Sequence, residues 1–470
     1  MHTISHTATS DTPQGNTALS GCSDIGVDAE QSINSRTPAS TTRDVEHAFE
    51  GDSSVRAHVA FAGSFARQAI EKSSLGEAGS RVNDALSALH QILTIRRPVK
   101  DDNSHDQGAT GIADPRAMPM PPLDVTLQLL RELRQRLPPT FELICAVTSI
   151  EYFTEQCRKV YFATEEFTKA TFIIVNVGLF FIFQGEIIEA SKSGDGERVA
   201  NLRSYCKICQ QNIKATLQSL SLLLPARKEN VIALVLGASY AVETSDPSQA
   251  WFLNSTACQL CISLGYQRDA LLPGEDEHTK SIRATLFWIV YILDRALALR
   301  LGRPAVLQDY EITLNRTLQN LGEFEIHRET IQCWLAQAGV QGQIYEELYS
   351  PAALRGSTEH RSLSARGCAN ILQAERLKLK HRIQRLELDT TSPGGEVELA
   401  LIRSDELANL SVLTLVYRAL PPDLSEVTPQ CSRIFAAECI ETARKAIHAH
   451  LSHVRSLGTN TDLLTTYMHW

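Results

Sequence analysis

The sequence predicts an all-α protein: a large multi-helix array of antiparallel helix pairs behind a disordered N-terminal arm. Three observations predict it. Apolar residues recur at helical spacing, as in Leu286, Val290, Leu293 and Leu297. Amphipathic segments 228–242 and 247–265 are joined by a turn of four residues, the sign of neighbouring antiparallel helices. Glycine, proline and short polar caps punctuate the segment ends. Counted against the usual helix length, the segments amount to about fourteen helices.

The stretch 281–310 organises the rest. Its apolar run from Leu286 to Leu293 marks a helix buried on most of its circumference, with Phe287, Tyr291 and Ala298 on a second face. Asp294-Arg295 interrupts the run, Gly302 stops it and Pro304 prevents its restart, with Arg303 held between the two breakers. A buried carboxylate needs a cation, so Asp294 is expected to pair with Arg303 folding back over the helix end, or with Arg283. No His, Cys, Ser or metal-ligand set converges on it in sequence, which argues against a catalytic aspartate.

Of the 470 residues 43% are hydrophobic, enough for a sizeable core, and the formal net charge is −9. That balance, with a pI of about 5.9, argues against a chain that is mainly a nucleic-acid binder. Eleven scattered cysteines with no apolar leader ahead of them read as reduced, buried thiols. The run Thr171–Phe183 reads as a core helix, too short and too interrupted by Asn176 and Gly178 to span a membrane.

In chain order, residues 1–48 are polar and predicted disordered. Residues 49–100 form a helical lead-in, in which Asp52 to Ser54 supply cap oxygens for a helix 55–70 and a second helix covers 81–95. Residues 101–122 are a linker. Its acids Asp101, Asp102 and Asp106, with Asn83, Asp84 and Ser87, only loosely match the aspartate-rich metal motifs of helical isoprenoid enzymes: Gln91 stands where Glu is expected. They read as solvated charge. Residues 123–470 are the main helical domain, with helices expected over 123–137, 141–153, 198–224, 330–349, 364–388, 405–418 and 435–451. Residues 272–280 are an acidic surface loop. Pro247 suits a first helical turn with Asp246 as its cap, and Gly265 suits a left-handed terminator. Cys206/Cys209 and Cys258/Cys261 lie inside helices without the knuckle turn of a zinc site, so no metal is assigned to them. Arg376, Lys378, Lys380, His381, Arg382 and Arg385 form a solvated helix face, with nuclear import or DNA backbone contact as the functional alternative. The chain stops at Trp470 inside an apolar helix and reads as truncated there.

Phe287-Trp288, Tyr291, Leu293-Asp294-Arg295 and then Leu301-Gly302-Arg303-Pro304 resemble the middle homology region of fungal zinc-cluster transcription factors, the fungal-specific transcription factor domain. Ala250-Trp251, Ala257 and Leu264-Gly265 look like the preceding helix of that family. Gly51 to Ser54, the run VYF, FIIVN and GLFF between Val160 and Phe181, and 405–418 extend the likeness. Trp251, Gly265, Trp288, Asp294, Arg295, Gly302, Arg303 and Pro304 are thus family-motif structural residues. The resemblance implies a nuclear transcription regulator with no enzymatic activity and no catalytic residues. The family's DNA-reading zinc cluster needs six closely spaced cysteines, and the N-terminal arm has Cys22 alone, so no cofactor is assigned to this chain and zinc belongs to the missing cluster. DNA is then reached through a missing module or a partner, such as a homologous transcription factor or co-regulator. A small-molecule effector is the other implied partner, and no membrane is. The alternatives are a DNA-free helical interaction protein, dominant-negative or co-regulatory, and a helical small-molecule enzyme.

Overall fold

The computed structural model describes residues 50–60, 63, 82, 84, 87, 88, 114–135, 137–162, 166–221, 223–270, 272, 274–316, 325–388, 395–422, 435–458 and 461–469. The expected arm 1–48, the acids and Asn83 of the linker comparison, most of the two lead-in helices and the turn 390–394 lie outside the described residues. Among those described the protein is all-α, without a strand.

The helices run α1 (Leu123–Glu132), α2 (Pro139–Val147), α3 (Ile150–Phe162), α4 (Lys169–Ser193), α5 (Gly196–Gln218), α6 (Lys228–Glu243) and α7 (Pro247–Ser263). They continue as α8 (Glu277–Leu301), α9 (Glu325–Ile344), α10 (Pro351–Arg355), α11 (Thr358–Leu388), α12 (Gly395–Arg418), α13 (Ala437–Leu457) and α14 (Thr461–His469). Neighbours in sequence pack as neighbours in space: α4 on α5, α6 on α7, α7 on α8, α8 on α9, α11 on α12 and α12 on α13. One large apolar core joins α1 to α9, and a second joins the end of α9 to α11, α12 and α13.

α4 shows why the pattern folds this way. Thr168 caps it, its Oγ1 accepting from the Thr171 amide at 3.1 Å, and Gly194 ends it in the left-handed region. From Ala170 to Phe183 the helix is buried all round. Its 25 residues exceed the run expected from sequence, and it is long and apolar enough to cross a membrane, yet it lies inside the array. An apolar helix without a polar face belongs in the middle of a large core.

Several expected boundaries move. The single helix expected over 141–153 is two, because Thr148 is extended and Ser149 starts α3, its hydroxyl accepting from the Tyr152 amide at 3.1 Å. The end of the expected linker is docked: Met118 and Met120 pack on the core, and Asn212 donates to the Pro119 carbonyl at 2.8 Å. The expected surface loop 272–280 contains the start of α8, capped by Asp276, and a nearly buried Glu275. α9 runs into a π-helical turn, Tyr345–Tyr349. The cationic side of α11 is divided. Lys378, Lys380, His381 and Arg385 are exposed, whereas Arg382 is buried against Glu329 and Glu398, and half-buried Arg376 pairs with Glu406 at 3.2 Å. Facing carboxylates on α9 and α12 draw those two arginines inward.

Candidate functional site

α8 crosses the array and carries most of the motif residues. At its N-terminal half Arg283 is buried and fully engaged. It grips Glu275 through Nε at 2.7 Å and Nη2 at 3.0 Å, and donates to the carbonyls of Tyr266, Arg268 and Ala270. Hydrogen bonding to Arg283 holds the Glu275 carboxyl below the usual carboxylate range. Arg283 is therefore not the cation for Asp294. One turn on, Trp288 is fully buried, stacks edge-on against Phe287 and Tyr291, and donates its indole N–H to the Asn315 carbonyl at 3.2 Å.

The C-terminal end of α8 is a junction. Gly302 adopts φ +65°, and the Arg303 amide returns to the Ala298 carbonyl at 2.9 Å, which closes the helix. Exposed Pro304 follows, and the chain doubles back beside the helix. That turn delivers two amides to Asp294, which is 1% exposed: Val306 N donates to Oδ1 at 3.0 Å and Leu307 N to Oδ2 at 2.9 Å. Burial pushes the Asp294 carboxyl up, and the two amides and Arg295 oppose that. The expected acid–arginine lock thus takes another form. The carboxylate holds the backbone of the returning loop, while the Arg303 guanidinium lies 4.5 Å above the Trp251 ring. A loop bent back so tightly brings its amides to Asp294 before a side chain can reach it.

Arg295 is also buried. It donates to the Leu307 carbonyl at 2.8 Å and to Asp309 at 3.0 Å, and reaches Glu346 of the π turn at 3.5 Å. Gly342 of α9 makes room for it, since a Cβ there would stand 2.9 Å from its guanidinium. Asp309 in turn accepts from the Tyr291 hydroxyl at 2.9 Å and pairs with Arg316 at 3.0 Å. One end of α8 is tied in this way to the loop 304–316 and to α9.

A contact that sequence reasoning missed completes the junction. The segment 50–54 lies across the last turn of α8. The Gly51 amide donates to the Leu301 carbonyl at 3.0 Å, and the buried Ser53 hydroxyl to the Leu299 carbonyl at 2.9 Å. The Leu301 carbonyl is one that a helix end leaves without an intrahelical partner, and Ser53 adds to the 3.2 Å bond that the Gly302 amide makes to the Leu299 carbonyl. Gly51 and Gly302 meet backbone to backbone: a Cβ on Gly51 would stand 2.1 Å from the Gly302 carbonyl oxygen. Arg418 at the end of α12 donates to the Asp52 carbonyl at 3.3 Å. Ser54 caps the following helical segment as expected, accepting from the Ala57 amide at 3.1 Å. His58 on that segment is driven down to about 4 by burial and by the charge of Arg418.

The other expected positions fall elsewhere. Gly265 ends α7 at φ +71°, and Asp246 caps α7 by accepting from the Gln249 amide at 2.9 Å. Cys206, Cys209, Cys258 and Cys261 are buried free thiols, raised by burial. The candidate site is thus a set of interlocked charges and caps around one helix end, a device for holding segments together.

Residues 177–338, which run from within α4 to within α9, match the fungal specific transcription factor domain. Over 138 residues the chain is 33% identical to a transcriptional regulator of Claviceps purpurea (28% of this chain, 21% of the relative). It is 29% identical over 87 residues to the pyrimidine pathway regulatory protein 1 of Saccharomyces cerevisiae (18% and 10%), and 27% identical over 144 residues to an ABC-transporter-regulating transcription factor of Aspergillus oryzae (27% and 15%). The chain therefore spans only a minor part of the length of these curated relatives. No solved structure matches it.

Proposed function

We propose that this chain is the regulatory part of a transcription regulator, that it acts in the nucleus, and that it has no enzymatic activity. The observation that carries the reading is the family match over 177–338. The geometry beneath that match supports it: Asp294, Arg295 and Arg303 are spent on backbone amides, carbonyls, carboxylates and an indole. Regulation runs through the junction at Gly302, where segment 50–54, loop 304–316, α9 and α12 meet. Release or repacking of segment 50–54 is the switch. DNA is reached through a further module or a partner, either a homologous transcription factor or a co-regulator. Any zinc belongs to that module, and no membrane is involved.

The test fuses the full chain to an unrelated DNA-binding domain in a fungal reporter strain. Reporter output is expected to change several-fold in either direction, and unchanged output with the fusion present in the nucleus overturns the proposal. A second reading, a DNA-free dominant-negative or co-regulator, is favoured by one sequence fact: Cys22 is the single cysteine of the N-terminal arm. It predicts that the purified chain does not shift DNA at physiological salt.

A further inference from the structure

Helix α11 runs for 31 residues, about 46 Å, and the array uses one side of it. Cys368, Leu372, Leu379 and Ile383 are buried on that side. The opposite side has a period of its own. From Leu363 onward, every position reached by alternate steps of four and three is exposed, as far as Leu388. This is the seven-residue spacing of a helix–helix seam. Leu363, Leu377 and Leu388 stand on it with 72%, 59% and 85% exposure. Gly367 and Ala374 lie between them, and a Cβ on Gly367 would meet nothing within 4 Å. Asn370, His381 and Gln384 are the polar positions of the seam, and exposed Ile371 widens its apolar strip at one edge.

The edges of the seam are cationic. By helical register Arg366 and Lys380 lie along one edge and Lys378 and Arg385 along the other, against one acid, Glu387. Glu387 is already held by Arg403 at 2.7 Å. Lys378 and Arg385 each touch a carboxylate, Glu375 at 2.7 Å and Glu329 at 3.1 Å, yet each side chain is 67% exposed and its charged head still faces water. Edge charges decide which helix can lie along a seam. A second copy of this chain packed in parallel would set Lys380 against the Arg385 of its mate. Packed antiparallel, it would lay the edge of Lys378 and Arg385 along itself. A nucleic acid would answer the cations and leave three leucines without apolar contact.

We propose that this face of α11 docks an acidic amphipathic helix of another protein, with apolar side chains along the seam and Asp or Glu on both edges. The leucines supply the contact area, and the four cations select the acidic partner and set its register. The inference deepens the reading of the chain as a regulator, and rests on that reading for the partner's role, by naming the docking surface and the partner's chemistry. Its test uses purified components and no reporter, so a failure of docking and a failure of regulation are told apart.

The test titrates the full chain into two labelled peptides of four heptads and reads fluorescence anisotropy. Both carry leucine along the seam; one has Glu and the other Lys at every edge position. The Glu peptide is expected to bind saturably, about ten-fold or more tighter than the Lys peptide, and to weaken as salt rises. L377E and R366E/K380E are each expected to weaken it about ten-fold. Their melting temperatures should match the parent's, since all three side chains are exposed; L363E replaces L377E should that variant fail to fold. The proposal is overturned if the Glu peptide shows no saturable binding, if the Lys peptide matches it, or if the folded variants bind as the parent does. It is also overturned if sedimentation shows a dimer that L377E splits, which makes a second copy the occupant. Duplex DNA binding that is lost in R366E/K380E and kept in L377E overturns it in favour of a nucleic acid.

Discussion

The two ends of α8 are both rich in buried polar groups, but they are held in different ways. At the N-terminal half every partner of Arg283 lies close in the chain, from Tyr266 to Glu275. That end is a self-contained lock. At the C-terminal end the loop partners Val306, Leu307 and Asp309 are joined by distant ones: Gly51 and Ser53 from one side and Glu346 from the other, with Arg418 of α12 holding the Asp52 carbonyl. Local partners make an end that forms with the helix. Distant partners make an end whose completion depends on the rest of the array, and such an end can be opened from outside.

The largest effect should come from the local lock. R283A strands Glu275, whose side chain is 6% exposed, and should cost about 3–5 kcal/mol, as for a broken buried pair. Thermal or denaturant unfolding measures it, and a loss below about 1 kcal/mol would mean that the pair is not a lock. Next comes D294A, which removes the acceptor for two amides and should cost about 2–3 kcal/mol. Hydrogen exchange at Val306 and Leu307 should rise in that variant while Arg283 and its carbonyl partners stay protected. G302A should cost about 1–2 kcal/mol for the left-handed backbone alone, and the new Cβ should also displace Gly51. Faster exchange across 51–58 is the expected signature, and unchanged exchange there would show that segment 50–54 does not depend on Gly302.

Near neutral pH the smallest effect is a pH dependence at the distant end. His58 is lowered from 6.5 to about 4 in the folded chain. Between those values the unfolded chain binds the proton and the folded chain does not, so stability is complete above pH 6.5 and declines as pH falls toward 4. H58Q should flatten that decline and leave stability at pH 7.5 nearly unchanged. If melting curves of the two proteins run parallel from pH 7.5 to 5, His58 is not buried in this way.

The sequence made α8 legible because its signals are local: the apolar run, the glycine stop and the proline beyond it. The caps at Asp246 and Ser54 and the terminator at Gly265 were readable for the same reason, since each acts within one helical turn. The partner of Asp294 was not. An aspartate followed by an arginine nine residues on suggests an ion pair, and nothing in side-chain identity announces that backbone amides will arrive first. The contact of Gly51 with Gly302 leaves no periodic trace across some 250 positions, although two small residues at both ends of it were visible. On α11 the charges of Arg376 and Arg382 looked solvated because the facing carboxylates Glu406, Glu329 and Glu398 lie on other helices. The break at Thr148-Ser149 had a signal, a hydroxyl able to restart a helix, and the apolar residues on either side of it masked that signal.

The meeting of Gly51 with Gly302 also bears on how the protein can be divided. The region shared with relatives starts partway along α4 and finishes partway along α9. Shared ancestry therefore outlines a signature, and the unit that folds is wider. A fragment trimmed to 177–338 would cut two helices and bare the carbonyl of Leu301. Whoever shortens this polypeptide should keep residue 51 at one margin and all of α13, which closes the second core, at the other.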